Sequence, residues 1–125
     1  MKYLLMVTIF FLSACAGKQA GNPQPGDAAE PAVDGEQLFK TKCAQCHRPG
    51  SHFVGPAMAG VESRWKNKQL LYEFVRNSAS VIQKDKYAAD LFAEWKQAPM
   101  LPFPDLTDAE IDAIFDYCNA VSPAK

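Results

Sequence analysis

The stretch Cys43-Ala44-Gln45-Cys46-His47 decides most of what can be inferred from this 125-residue sequence. Its two cysteines are separated by two residues and are followed directly by a histidine. At the end of a helix, this spacing places both thiols on one side, about one turn apart. The pentapeptide therefore presents two thiols and an imidazole together, and these are groups that bind metals or become covalently modified.

Four kinds of chemistry use cysteines at this spacing. A thioredoxin-like redox pair would need a βαβ pattern, which the sequence lacks. A zinc site would need two further ligands, for which only His52 and Cys118 remain. A simple disulfide leaves His47 without a role. Covalent attachment of a c-type haem uses all three residues: each thiol adds across one haem vinyl group, and His47 binds the iron axially. The pattern favours haem attachment.

The first fourteen residues have the pattern of an export signal. Lys2 supplies the positive start, and residues 3–12 (YLLMVTIFFL) form an apolar run of signal-peptide length. The sequence Leu12-Ser13-Ala14-Cys15 resembles the lipobox of bacterial lipoproteins, in which the signal is cut before the cysteine and the cysteine is acylated. We therefore expect an exported lipoprotein, anchored to a membrane through Cys15 and facing the periplasm or the cell exterior. The alternative is ordinary cleavage at Ala14-Cys15-Ala16 and release as a soluble protein.

Residues 15–33 are expected to be the acylated cysteine and a flexible linker. From Ala16 to Val33 there are 18 residues, of which 11 are Ala, Gly or Pro. Such a segment buries too little apolar surface to offset the entropy of ordering it, and it would span about 20–25 Å. A frayed terminus without a spacing role is the alternative. The folded domain is expected at residues 34–122, followed by a short tail at 123–125.

Pro and Gly divide the domain into four helical segments, and none has the alternation of a strand. The first begins at Asp34, with Gln37 placed as in a capping box. The second and third cover about residues 65–77 and 84–96. The fourth begins with Thr107-Asp108-Ala109-Glu110, which is a strong capping box. The sequence thus predicts an all-α domain of about four short helices, for which one covalently attached haem would provide an apolar centre.

The charge of the chain is close to balanced but unevenly distributed. A formal net charge of −1 argues against a nucleic-acid partner. Residues 38–97 carry ten Lys or Arg against five Asp or Glu, whereas residues 98–122 carry five acids and no base. This asymmetry would orient an acidic partner toward Lys40, Lys42 and Arg48. The alternative is that these charges form an ordinary solvated surface.

Two methionines compete for the second axial position of the iron that His47 would bind. Met100 lies in residues 98–104 (APMLPFP), where the prolines favour a stiff, extended loop suited to holding a thioether. Met58 lies eleven residues after His47, and the chain between them is long enough to reach the iron. The residues alone favour Met100 and leave Met58 open.

These residues resemble the class I (monohaem) cytochromes c, particularly small bacterial ones that are periplasmic or membrane-tethered. The resemblance covers about residues 34–122. It rests on Gly35-Glu36-Gln37-Leu38-Phe39, the haem pentapeptide, Gly55-Pro56 and residues 100–117. It implies a cytochrome c fold in which the first and last helices cross, with Gly35 permitting the contact and Phe39 packing against Phe115 or Tyr117.

The resemblance also implies roles around the haem. Pro56 matches the proline whose carbonyl accepts a hydrogen bond from the axial histidine, which would fix the tautomer of His47. Met100 matches the distal methionine of the family, which leaves Met58 as a core or surface residue.

Two features depart from the family pattern. Cys118 stands where members usually carry an aliphatic residue. Because it lies on an apolar stripe, we expect a buried, inert thiol, with a reactive or bridging thiol as the alternative. The segment 60–97 matches in pattern only, so contacts from Arg64, Trp65 and Tyr72 to the haem propionates are conjectures.

Ligation by His47 and Met100 would leave the iron no open position and would raise its reduction potential. The expected function is therefore that of a monomeric one-electron carrier, not an enzyme, between a redox donor and acceptor in the membrane or periplasm. Two alternatives remain. An easily displaced Met100 would allow a small-ligand-binding, sensory or peroxidatic haem protein, and the chain could also be a haem subunit of a larger oxidoreductase complex.

Overall fold

The computed structural model describes residues 32–122, so the expected signal peptide, Cys15, most of the linker and the tail at 123–125 lie outside the described residues. Helix α1 (Gly35–Leu38) continues directly into a π-helical turn (Phe39–Cys43). The other helices are α2 (Val61–Arg64), α3 (Lys68–Arg76), α4 (Ser78–Ile82), α5 (Lys86–Glu94) and α6 (Asp108–Val121). Residues 32–122 contain no strand, and the predicted all-α class is confirmed. None of these helices is both long and apolar enough to cross a bilayer.

Side-chain caps fix where the helices start. Asn67 accepts a hydrogen bond from the Leu70 N–H at 2.7 Å, and the caps of α1, α4 and α5 work in the same way through Asp34, Asn77 and Asp85. At α6 the predicted capping box is complete. The Thr107 hydroxyl accepts from the Glu110 N–H at 3.2 Å, and the Glu110 carboxylate accepts from the Thr107 N–H at 2.8 Å. Each cap satisfies N–H groups that have no partner within the helix.

Two short helices, α2 and α4, are present in addition to the four predicted. Each is about one turn long, which is too short for an apolar periodicity to show in the sequence. Trp65, predicted to start the second helix, instead follows α2 in extended conformation (φ −101°, ψ 143°). Asn77 breaks the chain between α3 and α4 and caps the latter.

The first and last helices cross at Gly35. A Cβ on residue 35 would lie 1.9 Å from the carbonyl oxygen of Ala113, so only glycine allows the two backbones to meet. About one turn along, the rings of Phe39 and Tyr117 pack with their centroids 5.6 Å apart. The contacts expected from the family resemblance are confirmed, with Tyr117 as the ring partner of Phe39.

The core is formed by α6 and the faces of the first helix and α3 that pack on it, and it is extended by α4, which packs on α3, and by α5, which packs on α4. Ile111 and Cys118 are fully buried on one stripe of α6, as their spacing predicts. Phe53 lies outside this core, and its ring is half exposed (52%). Arg48 stacks over that ring at 4.0 Å, which explains how an apolar side chain is kept ordered at the surface.

We predict that Gly35→Ala lowers the free energy of unfolding by about 1–3 kcal/mol, because the added methyl forces the first helix away from α6. Chemical denaturation of the purified protein measures the change. Gln37→Ala, an exposed change on the same helix, should lie within about 0.5 kcal/mol of the parent. Equal stabilities for the two variants would contradict the close contact at Gly35.

Candidate functional site

The Cys43–His47 pentapeptide forms a tight turn at the end of the first helix. The N–H groups of Cys46 and His47 both donate to the Cys43 carbonyl, at 3.1 and 2.9 Å. Arg48 secures the turn by donating to the carbonyls of Ala44 and His47. Cys43 is buried and Cys46 is exposed, so the two sulfurs lie at different depths.

A single cleft brings the predicted site residues together. Cys43, Cys46, His47, Pro56 and Met100 all line it, and it encloses about 1050 Å³ of open space including its mouth. The remaining wall is largely apolar and comes from α3 to α6, through Phe74, Val75, Ile82, Leu91, Phe92, Ile111, Ile114 and Phe115. Residues far apart in the sequence therefore converge on one apolar space.

His47 is oriented by its neighbours in the loop that follows. Its Nδ1–H donates to the Pro56 carbonyl at 2.9 Å, which is the hydrogen bond expected from the resemblance. The other ring nitrogen, Nε2, is left as the acceptor that a metal would use. Burial lowers the pKa of His47 below its ordinary value, although the bond to Pro56 opposes the shift. A neutral imidazole with a fixed tautomer is the form that ligates metals.

Gly55 permits this orientation because it has no side chain. A Cβ at residue 55 would lie 2.5 Å from Cε1 of His47 and 2.9 Å from its Nδ1. The Gly55 N–H donates to the Cys46 carbonyl at 2.8 Å and holds the loop against the pentapeptide. Gly55 thus lets the loop approach the His47 ring closely, and Pro56 accepts the hydrogen bond from that ring.

Both candidate methionines line the cleft. Met58 is buried, and its N–H donates to the carbonyls of Arg48 and Pro49 at 3.1 Å, within the same loop that orients His47. Met100 is half-buried, and its carbonyl accepts a hydrogen bond from the Ser78 hydroxyl at 2.9 Å. Since both methionines line the cleft, their positions alone do not decide which of them would be the second iron ligand.

The remaining candidates lie away from the cleft. Arg64 donates to the carbonyls of Ala57 and Ala59, and the Tyr72 hydroxyl donates to Asp112. Trp65 lines a smaller inner pocket next to Phe74 and is absent from the wall of the main cleft. None of Arg64, Trp65 and Tyr72 lines the main cleft, and their contacts to the haem propionates stay a conjecture.

Cys118 is fully buried, and burial raises the pKa of its thiol to about 12, so it is protonated at neutral pH. Burial also raises the pKa of Cys43 to about 11.

Within residues 32–122, no three His, Cys, Asp or Glu side chains come together as a metal cluster. The zinc alternative therefore lacks a ligand set in this part of the chain.

Sequence reasoning missed Ser78 as a residue of the site. Its hydroxyl contacts the Met100 loop across 22 residues of sequence, and no local pattern reveals such a contact. It also missed the pairing of His52 with Trp95, whose ring centroids are 5.2 Å apart at the edge of the cleft. The one usable signal was Asn77, a typical N-cap, which places Ser78 at the start of a helix.

The whole described range, residues 32–122, matches the family model for cytochrome c. This chain belongs to the cytochrome c family. The class I resemblance seen in the sequence is thereby confirmed, and the family's cofactor is a covalently bound haem c.

Known members of the family share both sequence and fold with the chain. Cytochrome c-552 of Nitrosomonas europaea is 25% identical over 85 residues, which cover 68% of this chain and 75% of that protein. Cytochrome c of Chlamydomonas reinhardtii is 49% identical over 43 residues, covering 30% and 38% of the two chains. A solved structure, cytochrome c from Rhodothermus marinus, is 31% identical and superimposes with a TM-score of 0.59, covering 73% of this chain and 76% of that one.

The residues of the cleft fit a c-type haem. An apolar space of this size suits a flat, largely apolar ring, and the two thiols lie in its wall where thioether bonds would form. The neutral His47 ring and a thioether in the same wall are the donor types found on haem iron in cytochromes c. As a member of this family the chain is a haem-binding electron carrier.

We predict that Gly55→Ala displaces the His47 ring and lowers the free energy of unfolding by about 1–3 kcal/mol, because the new methyl overlaps the ring. The displacement is measured from the NMR shifts of the His47 ring protons, and the stability from denaturation. Ser51→Ala, an exposed change in the same loop, serves as the control. Unchanged ring shifts in Gly55→Ala would show that the contact is not close.

Proposed function

We propose that this protein is an exported monohaem electron carrier, in which Cys43 and Cys46 hold the haem and His47 and Met100 are its two axial ligands. The observation that carries the proposal is the convergence of these four side chains on one apolar cleft. Their types and spacing match the requirements of the group: two thiols for the vinyl groups, an imidazole and a thioether for the iron.

When bound, the haem would supply an iron that changes between the ferric and ferrous states by gaining or losing one electron. Cys43 and Cys46 would hold the haem by thioether bonds, in which sulfur joins one vinyl carbon and the thiol hydrogen the other, so that no oxidant or reductant is consumed. Pro56 holds the His47 ring in the tautomer that leaves Nε2 available. The apolar wall excludes water and, together with a thioether ligand, favours a higher reduction potential.

Electron transfer without substrate binding follows from the two protein ligands. With the His47 imidazole and the Met100 thioether both held as ligands, the iron would have no position left for a substrate. Cys46 is exposed where Cys43 is buried. We propose that electrons enter and leave at this edge of the haem, beside Cys46.

We propose that this protein is a monomer and that its partners are a redox donor and a redox acceptor. Lys40, Lys42 and Arg48 are the cations expected to face an acidic partner. Lys40 pairs with Glu36 at 2.6 Å, and Arg48 donates to backbone carbonyls. Exposed pairs of this kind contribute little to stability, so Lys40 can exchange partners, whereas Arg48 has a structural role. Backbone carbonyls leave the positive charge of Arg48 in place, whereas the Glu36 carboxylate offsets that of Lys40, so any electrostatic steering at this face would depend mainly on Lys42 and Arg48.

The location is proposed from the N-terminal sequence. Removal of residues 1–14 and acylation of Cys15 would tether the haem domain to a membrane through a linker at residues 16–33. A linker of this composition spans about 20–25 Å, which holds a small domain just clear of the surface. The carrier would then diffuse in the plane of the membrane between its partners.

We predict that Met100→Lys abolishes the weak sulfur-to-iron absorption band of the oxidised protein, because the thioether is removed from the iron. Visible spectroscopy of the oxidised holoprotein measures the band. Met58→Leu, a swap of similar volume at the competing methionine, should leave the band intact. A band that persists in Met100→Lys, or that is lost in Met58→Leu, would contradict the ligand assignment.

The same preparation distinguishes the carrier from a ligand-binding haem protein. A carrier with a firmly bound Met100 takes up carbon monoxide poorly after reduction. Rapid and complete uptake by the unmodified protein would favour a small-ligand-binding, sensory or peroxidatic function instead.

A further inference from the structure

The loop that carries Met100 has little packing of its own. Leu101 is 65% exposed, and Pro99 and Pro102 are also exposed. Residues 98–104 contain three prolines, which have no N–H to donate, so few hydrogen bonds can anchor the loop from its own backbone. The position of Met100 must therefore depend on contacts made by other elements.

The start of the loop is held in an unfavourable backbone conformation. Lys96 and Gln97 have φ values of 57° and 59°, in the left-handed region that residues with side chains avoid. Their N–H groups donate to the carbonyls of Ala93 and Phe92, at 3.2 and 2.9 Å. The chain thus leaves α5 under strain, and relaxation of these two residues would move the loop that follows.

Two long-range hydrogen bonds tie residues 98–104 to the rest of the described fold, and in both the partner lies at the junction of α3 and α4. The Phe103 N–H donates to the Val75 carbonyl at 3.3 Å. The Ser78 hydroxyl donates to the Met100 carbonyl at 2.9 Å, and Ser78 is only 3% exposed. The second bond is the shorter of the two, and it acts on Met100, which lines the cleft.

We propose that Ser78 is a positioning residue that holds the Met100 thioether over the haem iron through the Met100 carbonyl. The inference rests on the proposed function, because it takes Met100 as the axial ligand. Ser78 acts through Met100 and does not itself bind the iron. Its hydrogen bond determines the fraction of time for which residues 98–104 hold Met100 in the position of a ligand. Without its hydroxyl, the loop opens more often and the iron becomes more accessible to an external ligand.

The test is imidazole binding to the oxidised holoprotein, followed by loss of the sulfur-to-iron band. We expect Ser78→Ala to bind imidazole about fivefold more tightly than the parent, since one shielded hydrogen bond no longer favours the closed loop. Ser78→Thr keeps the hydroxyl, and its imidazole affinity should stay within about twofold of the parent value. A band already lost in Ser78→Ala before imidazole is added, with α-helical circular dichroism retained, would support the same conclusion.

A matched control separates positioning from general destabilisation. Val81 is buried on α4, does not line the cleft and has no hydrogen bond to residues 98–104, so Val81→Ala weakens the core without removing a hydrogen bond to the Met100 loop. It should lower the melting temperature at unchanged imidazole affinity. Equal affinities in Ser78→Ala and the parent, or an equal rise in Val81→Ala, would overturn the role of Ser78. Absence of the band from the parent protein itself would overturn the ligand assignment, and the proposal for Ser78 with it.

Discussion

Residue 35 lies so close to α6 that its Cα hydrogen takes the place that any side chain would fill, next to the carbonyl of Ala113. This contact sets the direction of the first helix, and the helix ends at Cys43, where the pentapeptide turns into the cleft. The orientation of both thiols and of His47 therefore depends on a backbone contact about a dozen ångströms away, at about 1.5 Å of rise per residue. A small domain has few such constraints, and losing one of them would disturb the whole site.

The second constraint is the cleft itself. A domain of about 90 residues buries a smaller share of its surface than a larger one and has little stability to spare. Here, much of the apolar surface of α3 to α6 faces a common space instead of other side chains. A flat apolar group filling this space would complete the core, and covalent bonds would prevent its loss. The cofactor of the family is in this sense part of the packing as well as the source of the redox chemistry.

The sequence predicts those features of the fold that depend on residues close together in the chain, such as helix caps. Caps such as Asp34 and Thr107 act within one turn, and they marked the helix starts correctly. The one-turn helices α2 and α4 were missed because four or five residues cannot display a period of 3.6. The hydrogen bond from His47 to Pro56 was expected only from the family resemblance, since nothing in the spacing alone demands it. Ser78 could not be found, because its bond to Met100 exists only once α4 and the loop have been brought together.

We propose that haem is joined to the chain by both cysteines of the pentapeptide. The decisive measurement is mass spectrometry of the exported protein under denaturing conditions, after extraction with acidified acetone. We expect a chain whose mass includes one complete haem, with the added mass confined to the peptide containing Cys43 and Cys46. A colourless chain with the mass of the bare polypeptide, with any pigment left in the acetone, would contradict it.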